Sequence, residues 1–465
     1  MLLSKEKIYL ALNTALSTGA DFAEVFVERS LYKTIKMIQR GQSTNIDNIT
    51  DSVISGIGIR AYCGLKSSYS STSDLSYDGI RRCARSVASS ISDANRSVMD
   101  FELKERINPN IHSIKIVPSG IRNIVKIDLL KSALSTASSR SDNITQVMGT
   151  YLDVDRSILV ANSEGLLTND RQIRVRMAVN AVASLNGESQ TGTCSPGRSM
   201  GLEMFDVFTP ESIGSEAARS ALVKISAPYC KSGVYPVAIE NGFGGVIFHE
   251  STGHSLEASA VAYNNSEFAG KIGQKIANSK VTAIDDGTIP NAWGSVNIDD
   301  EGTPTQRKVL IENGVLKRYM VDRFNGRRMN MPSSGSSRRQ DFSFCPTSRM
   351  TNTFIAAGDD EDEDIISSIE QGIYARKMGG GSVNPMTGAF NFAVDEAYMI
   401  ENGKITYPVR GCSLIGKGSE VIQNIDMVGK HLLTGQGMCG SSSGSIPTDV
   451  GQPLIRVSQI TVGGR

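Results

Sequence analysis

The chain is 465 residues long, carries 48 basic and 48 acidic residues that cancel, and is 40% hydrophobic with seven cysteines. That length exceeds what one core usually supports, so two or three domains are expected, and the balanced charge offers no global field to recruit nucleic acid or an anionic membrane. No stretch approaches the ~20 apolar residues of a membrane helix. Met1-Leu2-Leu3-Ser4-Lys5-Glu6-Lys7 is interrupted by charge too early for a signal peptide. The odd, scattered cysteines read as reduced thiols, so a cytoplasmic protein is expected.

In chain order, residues 4–16 read as a helix, 22–39 and 52–71 as alternating strands around turns, and 78–91 as a second helix. An irregular polar segment, 93–118, with Asn108-Pro109-Asn110 at its centre, reads as a linker. A helix over 121–138 then leads into strands near 146–160 and 172–183. Thr209-Pro210-Glu211 is a helix start, with Thr209 able to cap and Pro210 suited to the first turn. That helix runs to about 225, and Pro228 marks a boundary. The chain is thus divided into 1–227, subdivided near 93–118, and 228–465.

The second half opens on a strand, 235–240, which Asn241-Gly242-Phe243-Gly244-Gly245 breaks before Val246-Ile247-Phe248 begins a helix. No G-x-x-x-x-G-K-[ST] follows, so these glycines read as a tight turn and not as a phosphate cradle. The helix carries His249-Glu250-Ser251-Thr252-Gly253-His254, which holds two of the four histidines. Two imidazoles can hold a divalent cation such as zinc, and a carboxylate beside one of them can take a proton from water. A spacing of five places the rings about 140° apart on an α-helix. Convergence therefore requires a π-type bulge or partial unwinding, for which Gly253 supplies backbone freedom. A third ligand is needed, and Glu257, His431, Cys412 and Cys439 are the candidates. Cys439 sits in Gly435-Gln436-Gly437-Met438-Cys439-Gly440, which reads as a glycine-flanked loop.

The rest of this half is strand-rich. Asn313-Gly314 and Asn402-Gly403 stand between β-forming residues and predict two hairpins. The acidic run 359–364 reads as a helix N-terminus, and Trp293 as a packing residue. Arg327, Arg328, Arg338 and Arg339 around Ser333-Ser334-Gly335-Ser336-Ser337 predict a mobile surface loop, with recognition of a peptide carboxylate or a partner as the alternative. Asp299, Asp300 or Glu301 is a candidate to orient a zinc-bound histidine.

The stretches Phe248-His249-Glu250-Ser251-Thr252-Gly253-His254-Ser255-Leu256-Glu257, Asn297 to Arg307, Arg349-Met350-Thr351-Asn352-Thr353, Gly379-Gly380-Gly381 and Val450 to Gly464 closely resemble the TldD branch of the TldD/PmbA family of zinc metallopeptidases. The first half matches more loosely, through Gly19 to Val25 and Gly56 to Arg60. The resemblance implies that His249, His254 and Cys439 are the metal ligands and Glu250 the general base. It implies an α+β fold, an α/β N-terminal region followed by a mostly β C-terminal domain carrying the metal-binding helix. It also implies peptide or unfolded-protein substrates, leader-peptide removal in some members, and a dimer, either a homodimer or a heterodimer with a related subunit that lacks the metal motif. The alternatives are a non-catalytic regulatory or binding subunit of the same family, and a zinc amidohydrolase acting on a non-peptide amide.

Overall fold

A computed structural model of the protein describes residues 2–91, 100–384 and 387–465. Long antiparallel strands form the first sheet. Phe22–Arg40 pairs with Ser43–Cys63 on one side and Ile144–Asn162 on the other, and Lys66–Thr72 and Leu166–Leu185 continue the sheet outward. Side chains alternate across the central strand, as a period of two requires. Ala23, Val25 and Val27 share a core with helices Lys5–Leu16 and Tyr77–Ser89. Further along the same face, Ile35 and Met37 meet helices Asn123–Ser138 and Pro210–Ser226.

The opposite face carries Phe22, Glu24, Phe26 and Glu28, all buried. It is covered by the second half of the chain. Phe26 clusters with Ile158, Val160, Ile298 and Phe342. Glu24 accepts Arg60 at 3.1 Å and Arg339 at 3.2 Å, Arg60 also reaches Glu301, and Arg156 bridges Glu28 and Asp300 at 3.2 and 3.3 Å.

In the second half, Gln371–Val383, Gly233–Ile239, Ile455–Gly463, Ser413–Lys417 and Ala389–Glu401 pair in that order. Ala389–Glu401 also pairs back onto Gln371–Val383, which closes the sheet into a small barrel. A second sheet runs Val315–Leu316, Arg307–Glu312, Ala283–Asp286, Asn352–Ile355, Gly444–Gln452, Leu433–Ser441, so Leu433–Ser441 lies at its edge. One core, including Val237, Ile247, Phe248, Ile355, Val450 and Val457, joins the two sheets. The fold is α+β.

Several local expectations hold. Asn313 and Gly314 adopt φ of 48° and 82°, and Asn402 and Gly403 φ of 50° and 72°. Two successive positive values form the turn that joins antiparallel strands tightly. Thr209 Oγ1 accepts the Ser212 N–H at 3.2 Å, capping Pro210–Ser226. Other elements differ. Ser43–Cys63 begins well before residue 52, because its first part is an exposed ribbon without a buried face to impose alternation. Glu188–Cys194 forms an additional strand on Leu166–Leu185. Of the expected linker 93–118, residues 93–99 lie outside the described residues, and Lys104–Arg106 adds a strand parallel to Leu166–Leu185. The serine segment between the arginines is not a mobile surface loop. Ser334, Ser336, Ser337, Arg338 and Arg339 are buried, and Ser337–Arg338 pairs with Thr347–Ser348. Their partners, Glu24 and Asp300 among them, come from remote parts of the chain that a local reading does not connect.

Candidate metal centre

The chain leaves Gly233–Ile239 and turns at Gly242, whose φ of 72° suits glycine. A Cβ on Gly245 would lie 2.3 Å from the Gly451 carbonyl oxygen, so only glycine lets this turn settle against strand Gly444–Gln452. Val246–Phe248 then buries all three of its side chains. From His249 to Gly253 the helix widens into a π-turn, closed by the His254 N–H donating to the His249 carbonyl, and it tightens again over His254–Leu256. The additional residue in the turn returns positions five apart to one face. The expected bulge is therefore present. The role expected of Gly253 is not, because its φ of −53° and ψ of −51° are open to any residue. Space is what demands glycine there, since a Cβ would lie 2.6 Å from Met350 Sδ.

Cys439 comes from strand Leu433–Ser441 and faces Ile446 across the ladder, so the glycine-flanked segment is an edge strand and not a loop. Its Sγ lies 3.2 Å from His249 Nε2 and 3.3 Å from His254 Nε2, and the three candidate donor atoms stand within 4.8 Å of one another. A tetrahedral zinc ion, with Zn–N of about 2.0–2.1 Å and Zn–S of about 2.3 Å, separates N from S by roughly 3.5 Å. The donor set and its spacing thus fit zinc. Burial alone would raise the Cys439 thiol, but the charge and hydrogen bond of His249, then those of His254, bring it down to about 3. Burial likewise opposes charge on His254, yet Glu257 and Cys439 hold its imidazolium well above the ordinary histidine range. Both shifts favour a thiolate beside a protonated imidazole. A divalent ion would replace that proton with a charge of the same sign.

Glu250 and Glu257 approach His254 from different sides. Glu250 Oε2 lies 3.8 Å from Nε2, the nitrogen that faces Cys439, and its side chain is 27% exposed. Glu257, weighed above as a third ligand, is buried with Oε2 3.2 Å from Nδ1 of His254, so it orients the ring instead of joining the donor cluster. Its Oε1 lies 4.0 Å from Nε of fully buried Arg349. Arg349 donates to the carbonyls of Cys439 at 2.5 Å and Gly444 at 3.0 Å and to Ser443 Oγ at 2.9 Å. One guanidinium therefore ties the carboxylate behind His254 to the hairpin that carries Cys439. No local signal in the sequence marks Arg349 for this task.

The other candidates lie elsewhere. Asp299 accepts the N–H groups of Glu301, Thr303 and Ser337, Asp300 accepts that of Arg339, and Glu301 pairs with Arg60, so none of the three orients a histidine. Their burial serves the junction between the two halves. His431 is exposed and bonded to Asp362 at 3.0 Å, and Cys412 lies in the barrel core.

The C-terminal domain model of PmbA/TldA metallopeptidases matches residues 232–464, the central domain model 118–225, and the domain 1 model 23–91. The metalloprotease TldD homolog of Haemophilus influenzae is 37% identical over 417 residues, which cover 88% of this chain and 86% of that protein. The metalloprotease TldD homolog of Buchnera aphidicola from Acyrthosiphon pisum is 33% identical over 471 residues, 99% of this chain and 96% of its own length. Among solved structures, TldE from Thermococcus kodakarensis superposes with a TM-score of 0.75 at 19% identity, covering 98% of this chain and 100% of its own. A Thermotoga maritima protein described as a candidate modulator of a DNA gyrase gives 0.78 at 20%, over 99% and 100%. At those identities the two structures speak to the fold alone.

Proposed function

Since this chain belongs to the PmbA/TldD family of metallopeptidases, we propose that it is a zinc-dependent peptidase in which His249, His254 and Cys439 hold the metal and Glu250 moves the proton. The observation that carries this reading is the convergence of two imidazoles and one thiolate from elements 190 residues apart, with a partly exposed carboxylate at their side. Bound there, zinc would supply a Lewis acid for the scissile carbonyl and make water nucleophilic at neutral pH. Glu250 accepts the proton of the attacking water and delivers it to the leaving amine. Glu257 fixes the His254 ring through Nδ1, which leaves Nε2 turned to the cluster. The Cys439 thiolate completes a His/His/Cys donor set and leaves one position for substrate or water.

In this reading the substrates are short or unfolded polypeptides, with leader-peptide processing as one use, and the enzyme works in the cytoplasm as a homodimer or with a related subunit. No helix among the described residues is long and apolar enough to cross a membrane. The same reading treats 1–227 as the scaffold and 228–465 as the unit that carries the metal. A regulatory subunit without catalysis would be expected to lack His249, Glu250, His254 or Cys439, and all four are present.

The test separates ligand from base. Glu250→Gln should retain about one zinc per chain by elemental analysis while peptide hydrolysis falls about 10²- to 10⁴-fold. Wild-type cleavage by that variant would remove Glu250 from the mechanism.

A further inference from the structure

Neighbouring residues of a strand face opposite ways, so Met438 and its ladder partner Pro447 point away from the side that holds Cys439. On that far side lies a cavity of about 260 Å³, walled by the hairpin and by the first sheet. Arg156, Arg174, Arg338 and Arg339 line it, and none of them is more than 7% exposed. Buried guanidinium groups require anions, and those present serve only some of them. Arg156 and Arg339 have Glu28, Asp300 and Glu24. Among the described residues Arg174 hydrogen-bonds only to neutral acceptors, the carbonyls of Trp293 at 3.0 Å and Ser295 at 3.3 Å and Gln172 Oε1 at 3.1 Å, and Asp170 acts on it only at longer range. Arg338 likewise donates to the carbonyls of Met350 at 3.0 Å and Pro447 at 2.7 Å.

Two further donors, Nη2 of Arg156 and Nε of Arg339, are buried with no hydrogen-bond partner among the described residues. Asp341, the carboxylate on this wall, has Oδ1 taken by the N–H and hydroxyl of Ser343 at 2.8 and 2.6 Å and Oδ2 by Gln340 Nε2 at 3.2 Å. The unbalanced charge is felt by the arginines themselves. Burial, then the charges of Arg338 and Arg156, depress Arg174 to about 9, and burial, opposed by Asp300 but reinforced by Arg349 and Arg156, depresses Arg338 to about 10.

We propose that this cavity binds the carboxylate of a peptide's C-terminal residue, with the arginines taking the carboxylate and the apolar wall taking the side chain. Ile54, Leu152, Val154 and Met438 provide that wall. An inorganic anion would satisfy the arginines and leave the wall without a partner, whereas a terminal aliphatic residue satisfies both. The volume is below the ~300–1,000 Å³ of drug-sized pockets, which suits one residue better than a run of chain. The source of such peptides rests on the peptidase reading, but the recognition of the carboxylate does not.

Trp293, the sole tryptophan, lines the cavity, so its fluorescence reports occupancy directly. N-acetyl-leucine titrated into the purified protein should give a saturable change. N-acetyl-leucinamide, and N-acetyl-isoglutamine, whose one carboxylate belongs to a side chain, should bind at least about tenfold more weakly, the scale of one lost charge-assisted hydrogen bond. Arg174→Gln should abolish the response, and Ile54→Phe, which narrows the cavity without touching its charge, should weaken it if Arg174→Gln does not fold. Cys439→Ser should respond like wild type, because the carboxylate is not at the metal. Equal responses to acid and amide, equal binding of N-acetyl-isoglutamine, saturation by sulfate as tight as by N-acetyl-leucine, or a response lost in Cys439→Ser but kept in Ile54→Phe would each overturn the proposal. The titration involves no hydrolysis, so failure of the peptidase reading and failure of this one are told apart.

Discussion

Two glutamates lie within reach of His254, and their surroundings divide their work. Glu250 is partly exposed beside the donor cluster, where it can exchange protons with water, whereas Glu257 is buried against Nδ1 and held by Arg349. A carboxylate that orients a ligand acts on affinity, so Glu257→Gln should weaken zinc binding about 10- to 100-fold in competition with a chelator. Unchanged affinity would show that the ring is fixed by packing alone. His112 makes a separate residue-scale case. Burial, then the charge of Arg174, lowers it to about 4, and its Nδ1 accepts the Asn291 N–H at 3.2 Å, which requires the neutral ring. The unfolded chain binds a proton at about 6.5 that the folded chain refuses, so stability is unaffected above that value and is lost as pH falls from about 6.5 towards 4. At pH 5 this amounts to about 2 kcal/mol. Denaturant unfolding at pH 7.5 and pH 5 should therefore show a smaller acid loss for His112→Gln than for wild type, and equal losses would exclude His112 as the cause.

At the scale of elements, the centre depends on a single π-turn. Removing Ser251 would leave the histidines four apart, the spacing that an ordinary helix aligns. Deletion of Ser251 should nevertheless abolish zinc binding while leaving the far-ultraviolet circular dichroism nearly unchanged, because Cys439 and Glu250 are placed for the widened turn. Full zinc content in the deletion variant would mean that the π-turn is incidental. This element was legible from spacing alone, since ligands five positions apart cannot converge on a regular helix. The Asn-Gly hairpins and the Thr209 cap were legible for the same reason, as their chemistry is local. The edge strand carrying Cys439 was not, because Gly435, Gly437 and Gly440 signal a loop and only the partner strand Gly444–Gln452 holds the segment extended. The steric need for Gly253 was also hidden, since it arises from Met350, which is remote in sequence.

Over the whole molecule, one face of the first sheet carries apolar residues to the helices, and the other carries Glu24, Glu28, Arg60 and Arg156, which meet Asp300, Glu301 and Arg339 of the second half. Buried ion pairs contribute little net stability but are costly to break, so they define how the halves fit together. That network explains why the charged residues Asp300, Glu301 and Arg339 are interior in the fold. It escaped a local reading because the pairs join residues remote in sequence, three of them across the two halves: Arg60–Glu301, Arg156–Asp300 and Arg339–Glu24. The metal centre is assembled in the same way, from a helix and an edge strand that Arg349 ties together. The most direct test of this assembly is X-ray absorption at the zinc edge of the purified protein. The account predicts one sulfur at about 2.3 Å and two imidazole nitrogens at about 2.0–2.1 Å, with the sulfur shell lost in Cys439→Ser. Bound zinc surrounded only by nitrogen and oxygen in the wild-type protein would contradict it.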